Sequence, residues 1–488
     1  MSDLQPPTSR RAAREANTPA AVKRAQSAVA PGDSDGLRLT GLQRGLIIGA
    51  GALVFVLLAT GSVFFGISVA RTAALHQVLA PPSTSPTRVV PASKVQPTAI
   101  PTCSLDTLAS NPALIKLYGS VVETATGNAL YSNNDTTGAR PASVLKVLTA
   151  AAAIAVLGPT YQITTNVDAD DSNPGTIVLV GQGDATLSRA AAGHSVYAGA
   201  PTLAALATAT LTKYNSVPAN LGIPISHIIL DSTYWDPTDN WDSSVPRSEQ
   251  TGGYLSESTA LQVDGDRANP SAQVSPRSTD PVTAAGTAFR TALAAVPGGP
   301  DASTVTIATG QAEDGAPVLA SVQSQPVSTL VKQMLLQSDN TLAEMLARIV
   351  SVKENLGGSS SSIQQAITTG LGKYGVDTTG LTIEDGSGES DESQIPPLFM
   401  SKFMSLVSQK SDGLQYVAAG IPVVGKYSAK SGVIANAYTI SGYTTAADGT
   451  GESFTFFAQG TGITSAAQPA LTALANAVYT CGKNITNN

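Results

Sequence analysis

Apolar positions along this chain fall into three kinds of run. From Gly45 to Ala70 (GLIIGAGALVFVLLATGSVFFGISVA) the sequence is apolar on every face and uncharged over 26 residues, more than the roughly 20 that cross a bilayer as a helix. Alternating, β-rich runs come second. Segments 114–124 and 129–132 flank Thr126-Gly127-Asn128, and segments 437–446 and 453–459 flank Asp448-Gly449; each pair predicts a hairpin. Helical periodicity is the third kind. Ser143 to Leu157, closed by Gly158-Pro159, is apolar nearly all round, which predicts a helix buried at the centre of a domain. Residues 327–350 carry two helical patterns broken at Ser338-Asp339-Asn340, and an Ala-rich helix is predicted at about 466–480. Strands at both ends with helices between them predict an α+β domain. The interval between, dense in short strands and turns, is expected to be a β-rich insertion.

This pattern divides the chain into a polar, aperiodic tail at 1–44, a membrane-spanning helix at 45–70, a linker at 71–102, an α+β domain built from 103–165 and 326–488, and an inserted region at 166–325. The linker is punctuated by Pro81, Pro82, Pro86, Pro91, Pro97 and Pro101, a composition expected to give a semi-rigid spacer, with a flexible linker as the alternative. Charge sets the orientation. Residues 1–44 hold seven basic groups against four acidic ones, and the remainder of the chain is acidic. A basic flank before the apolar run places the N-terminus in the cytoplasm and everything after Arg71 outside it. Cleavage after Ser68-Val69-Ala70 is the alternative, and it would release a secreted protein with the same outer part. With 28 basic and 35 acidic groups and no basic stripe, nucleic acid is excluded as a partner. The only two cysteines, Cys103 and Cys481, both fall in the outer part, where a lone pair is expected to form a disulfide. Nothing has zinc-ligand spacing, and no metal or cofactor is expected.

Candidate chemistry starts from Lys146. Three residues after Ser143 on a helix, its side chain shares a face with the serine. Desolvation in so apolar a helix disfavours the charged amine and suits it to act as a base. A serine hydroxyl needs such a partner because it is a weak nucleophile on its own. Ser338-Asp339-Asn340 adds a hydroxyl and an amide on one short turn. Lys430-Ser431-Gly432 adds a cation, a hydroxyl and a glycine that admits close backbone approach. Other catalysts fit less well. His76, His194 and His227 are the only histidines, and Gly386-Ser387-Gly388 lacks the frame of a nucleophile elbow and is expected to be a loop turn. Asp168, Asp170 and Asp171 are expected on a solvated turn, and Trp235 and Trp241 in packing rather than on a sugar platform.

In the order SxxK, SxN, KSG, the three groups resemble the signature set of penicillin-interacting serine enzymes. The chain resembles a class C low-molecular-mass penicillin-binding protein of the D-alanyl-D-alanine carboxypeptidase/endopeptidase family, over about 105–480. Arg140-Pro-Ala-Ser143-Val-Leu-Lys146, Gly181-Gln-Gly183-Asp184-Ala-Thr-Leu187, Leu230-Asp-Ser-Thr-Tyr-Trp235, Pro276-Arg277 with Asp280-Pro281, Gln337-Ser-Asp-Asn340 with Ala343-Glu344-Met345-Leu346, and Asp385-Gly-Ser-Gly388 fall in the family's order. The resemblance implies a transpeptidase-like domain of antiparallel sheet, flanking helices and a helical cluster.

It also implies an extracytoplasmic peptidase acting on peptidoglycan stem peptides. Ser143 would be the nucleophile, Lys146 its base, and Ser338 a proton relay. Asn340, Lys430, Ser431, Gly432 and Val433 would bind substrate, with the Ser143 and Val433 N–H groups as the oxyanion hole. β-Lactam antibiotics would then acylate Ser143. Three departures stand out. Ser431 replaces a commoner threonine, Val433 lacks a hydroxyl often present there, and Glu389 stands where an apolar residue is usual. A β-lactamase shares the three motifs, although the separation of 195 positions from Ser143 to Ser338 leaves room for an insertion that compact β-lactamases lack. A non-catalytic wall-binding scaffold is the other alternative.

Overall fold

A computed structural model describes residues 103–486. The expected tail, membrane helix and linker therefore lie outside the described residues, among which no helix is long and apolar enough to cross a membrane. The chain enters through the short strand β1 (Cys103–Ser104), and β2 (Lys116–Glu123) then turns into β3 (Ala129–Asn133) as the first hairpin. The pattern predicts one helix from Ser143 to Leu157, but the structure divides it. A 3-10 turn spans Ala142–Leu145, and the α-helix α1 (Lys146–Leu157) begins only at the lysine. Ala142 sits at φ 46°, where the backbones of Gly388 and Gly432, from distant parts of the chain, close on the turn.

The middle of the chain forms a five-stranded mixed sheet. β4 (Thr164–Ala169) and β5 (Thr176–Gly181) are followed by helix α2 (Leu203–Ser216), β6 (His227–Asp231), helix α3 (Pro281–Ala294), β7 (Thr306–Thr309) and β8 (Val318–Gln323). The strand order is β7-β6-β5-β4-β8, with β5, β6 and β7 parallel and β4 antiparallel to β5 and β8. Parallel neighbours need crossovers, and α2 and α3 provide them. Leu206, Leu211, Phe289 and Leu293 pack with Ile177, Leu179, Ile228 and Leu230. The region expected to be β-rich thus also carries two 14-residue helices.

Helices α4 (Val327–Gln337), α5 (Asn340–Lys353), α6 (Ile363–Gly372) and α7 (Pro397–Gln409) follow. Next come β9 (Val423–Val424), β10 (Tyr427–Ile434), β11 (Ala437–Thr445), β12 (Gly451–Gln459), α8 (Ala467–Cys481) and β13 (Ile485–Thr486). The second sheet runs β12-β11-β10-β9, antiparallel throughout. β2 lies along β12, tied to it at one end by the Thr124 N–H donating to the Gly451 carbonyl (2.9 Å). Alternation assigns the faces of β12. Phe454 and Phe456 pack with Leu471, Leu474 and Val478 of α8, while Phe457 faces the helical cluster. Buried α1 is the axis of that cluster, packed with Leu330, Met334, Leu346, Ile349, Ile367 and Leu371. Cys103 and Cys481 form a disulfide, with Cα atoms 5.6 Å apart across 378 residues, and β1 pairs with β13 beside it.

Trp235 is buried, with its indole N–H donating to the Ser258 carbonyl (2.9 Å), and the Trp241 ring is covered by Arg247. The three acids do not share a turn as expected. Asp168 is buried on β4, and Asp170 caps the following bend through the N–H groups of Ser172 and Asn173.

One buried acid makes stability depend on pH. Glu452 on β12 is fully buried and neither carboxylate oxygen is hydrogen-bonded. Burial, then repulsion from Asp448 and Glu123, pushes its carboxyl from 4.5 up to about 8. The native state therefore holds this proton more tightly than the unfolded chain does, so stability is lost as pH rises from about 4.5 to about 8. Glu452→Gln is expected to remove that loss. Urea unfolding at pH 5 and pH 8.5 should show the variant gaining on the wild type at the higher pH, and an equal gap at both would refute the assignment.

Candidate active site

Ser143 lies on the 3-10 turn between two glycines from distant parts of the chain. A Cβ at Gly432 on β10 would come within 2.5 Å of the Ser143 backbone nitrogen, and one at Gly388 would collide with the Ala142 carbonyl. The missing side chains are what let strand and loop close on the turn. Lys146, one step into α1, is fully buried. Its Nζ lies 2.9 Å from Ser143 Oγ and donates to the Ser387 carbonyl at 2.6 Å.

The loop carrying Ser387 is held by buried acids. Asp385 Oδ2 accepts from the Ser387 hydroxyl (2.8 Å) and from the Glu389 and Ser390 N–H groups, and Oδ1 accepts from the Ser393 hydroxyl. Glu344 accepts from the Gly386 N–H, and Thr149 of α1 donates to the Gly386 carbonyl. Burial raises the pKa of Asp385 against its hydrogen bonds and the nearby Lys146, and burial beside Asp385 raises that of Glu344.

A second serine–lysine pair faces the first from other elements. Ser338 caps α4 in a left-handed conformation (φ 56°), and Lys430 Nζ donates to its Oγ at 2.9 Å and to the Ser431 carbonyl at 2.7 Å. Asn340, the first residue of α5, donates from Nδ2 to Glu389 Oε1 at 2.9 Å. Ser431 is exposed. Beyond Ser428, β10 is paired only with β11, so its other edge is open. The Ala429 N–H points to that edge, toward the Pro422 carbonyl (2.9 Å). N–H groups alternate along a strand, so the Val433 N–H projects from the same edge. The Val433 side chain packs with Tyr427, Ala429 and Tyr438; a hydroxyl there would be directed into that packing, so what this position offers the cleft is its backbone.

All eight residues singled out from the sequence thus lie on three facing elements: the turn into α1, the α4–α5 turn, and β10. His194 and His227 are exposed, and His227 contacts Ser226 at the start of β6. The sequence missed the contributions of Ser387, Asp385, Glu344 and Glu389. Ser387 reaches Lys146 through its carbonyl, which every residue type possesses, so no side-chain pattern could have flagged it. Among the described residues no cluster of His, Cys, Asp or Glu could hold a metal ion.

The class is that of a serine-type peptidase, carried on an α+β fold like that of a penicillin-binding protein. The chain belongs to the D-Ala-D-Ala carboxypeptidase 3 (S13) family, whose model matches residues 102–214 and 193–478, and its enzyme class is serine-type D-alanyl-D-alanine carboxypeptidase. It is 30% identical over 397 residues to "Carboxypeptidase DacB" of Mycolicibacterium smegmatis, covering 79% of this chain and 81% of that one. It is 34% identical over 326 residues to "Carboxypeptidase Rv3627c" of Mycobacterium tuberculosis, covering 65% and 67%. Its fold is similar to the crystal structure of penicillin binding protein 4 (dacB) from Haemophilus influenzae, with a TM-score of 0.61 and 19% identity, over 77% of this chain and 99% of that one.

Proposed function

We propose that the protein removes or cleaves beside terminal D-alanine on peptidoglycan stem peptides, as carboxypeptidase and endopeptidase, through an acyl-enzyme at Ser143. The observation that carries this reading is the 2.9 Å contact between Ser143 Oγ and a fully buried Lys146. Lys146 takes the serine proton as Oγ attacks the carbonyl between the two D-alanines. The N–H groups of Ser143 and Val433 stabilise the oxyanion. As the tetrahedral intermediate collapses, the amine of the leaving D-alanine receives a proton through Ser338, and water then hydrolyses the acyl ester. Asn340 holds the substrate's amide, and Lys430 with Ser431 attracts its carboxylate. β-Lactams present the same carbonyl and acylate the same serine.

The apolar run at 45–70 and its basic flank support a single-pass anchor with the catalytic part outside the cytoplasm. The sheet from Thr164 to Gln323 supports reading 166–325 as an insertion into the catalytic domain.

The test offers purified protein a fluorescent penicillin, a D-Ala-D-Ala peptide and a chromogenic cephalosporin. The wild type is expected to take label and release D-alanine, and Ser143→Ala to do neither. A labelled Ser143→Ala variant would sink the nucleophile assignment. Label without D-alanine release would favour a scaffold, and fast cephalosporin turnover a β-lactamase.

A further inference from the structure

The turn that carries Ser338 and Asn340 is gripped from outside the catalytic motifs. Asp339, between them, accepts the Leu342 N–H through Oδ1 (3.0 Å) and so caps α5. Its Oδ2 accepts from Arg267 Nη2 at 2.7 Å, and both side chains are 2% exposed. Arg267 lies in the stretch between β6 and α3, which belongs to the region of the five-stranded sheet. Its guanidinium is fixed in turn: Nη1 donates to the Tyr197 hydroxyl (2.6 Å) and the Asp264 carbonyl (3.0 Å), and Nε to the Gln273 carbonyl (3.3 Å). Gln273 adds a second tie, donating to the Gln337 carbonyl at 2.6 Å, directly before Ser338.

These ties converge on a backbone that needs holding. Ser338 is in the left-handed region, which a residue with a Cβ occupies only where its surroundings enforce it. Burial alone would push the Asp339 carboxyl up, and Arg267 and Arg277 together with the Leu342 N–H more than reverse this, holding it below its ordinary value. The bond between Arg267 and Asp339 is therefore a charged one, in a site from which water is excluded.

We propose that Arg267 is a positioning residue for the acyl-transfer reaction: through Asp339 it fixes the turn that presents Ser338 to Lys430 and Asn340 to the substrate. The inference rests on the acyl-enzyme reading above and deepens it. It makes the stretch between β6 and α3 part of the machinery that aligns the catalytic groups.

The test must separate alignment from folding, since removing Arg267 alone strands a buried carboxylate. In Arg267→Met with Asp339→Asn, both charges leave together and asparagine still caps α5. The full-length double variant is expected to stay folded at the assay temperature, with a lowered unfolding temperature because the Tyr197 hydroxyl and the Asp264 and Gln273 carbonyls lose a donor, yet to be acylated by penicillin about 10²-fold more slowly. The loss should lie mainly in the acylation rate constant, with noncovalent penicillin binding weakened less. Arg267→Lys keeps the charge but not the fork of donors, and is expected to fall between the wild type and the double variant. A folded double variant acylated at the wild-type rate would overturn the proposal, as would an Arg267→Lys variant that loses binding and rate equally. A wild-type protein that takes no label at all would instead overturn the acyl-enzyme reading.

Discussion

Lys146→Met is expected to slow acylation of Ser143 by penicillin about 10²–10⁴-fold, the usual contribution of a positioned general base, in a protein that remains folded. Methionine reproduces the length and flexibility of the lysine stem, so the packing around α1 changes little. What disappears is the nitrogen 2.9 Å from Ser143 Oγ, and at about 1.4 kcal/mol per tenfold the barrier rises by about 3–6 kcal/mol. The stability balance is smaller. The Ser387 carbonyl loses a donor at a cost of about 1–3 kcal/mol. The Asp385 carboxyl should move still higher, because Lys146 is one of the groups drawing it down. Stopped-flow labelling with a fluorescent penicillin measures the rate, and thermal unfolding checks the fold. A variant acylating within about tenfold of the wild type would shift the base role to the other pair, Lys430 and Ser338, whose atoms are also 2.9 Å apart.

The two serine–lysine pairs show how far one-dimensional patterns reach. Ser143, Lys146, Ser338, Asn340 and Lys430 were legible because each contributes a distinctive side chain at a fixed local spacing. The burial of Lys146 was legible too, since an unbroken apolar helix has no face to offer water. The terminal hairpins and the division between α4 and α5 followed from alternation and from turn residues. The helix α2 was not legible. Its sequence, LAALATATLTKYNS, mixes threonine and alanine so evenly that the apolar face barely stands out, and packing on the sheet decides the outcome. The break between Ser143 and Lys146 was hidden because it arises from loop and strand pressing on Ala142, a contact between residues hundreds of positions apart. Glu389 looked like an unexplained departure. It is the acceptor for the Asn340 amide, a pairing that no local spacing announces. Arg267 and Asp339 stayed hidden for the same reason, 72 positions apart.

Gly432→Ala should cost activity out of proportion to its size. A methyl group there would sit 2.5 Å from the Ser143 nitrogen, 2.6 Å from Thr439 Oγ1 and 2.9 Å from Ala142 Cβ. Thr439 could turn away, but the first of these neighbours is backbone, so turn and strand must separate. The Ser143 and Val433 N–H groups would then part, and with them the geometry proposed to bind the oxyanion. A misplacement of about 1 Å can cost 10²-fold, and loss of one oxyanion donor about 10²–10³-fold; the expected fall in acylation rate lies in that range. Gly372→Ala supplies the comparison. It ends α6 with no atom within 4 Å of a new Cβ, so the same substitution should leave the rate unchanged and raise stability slightly, alanine being the better helix former. Equal rates for the two variants would mean that β10 can yield at Gly432 without disturbing Ser143. The strand would then be a compliant wall of the cleft, and the oxyanion donor would have to come from elsewhere.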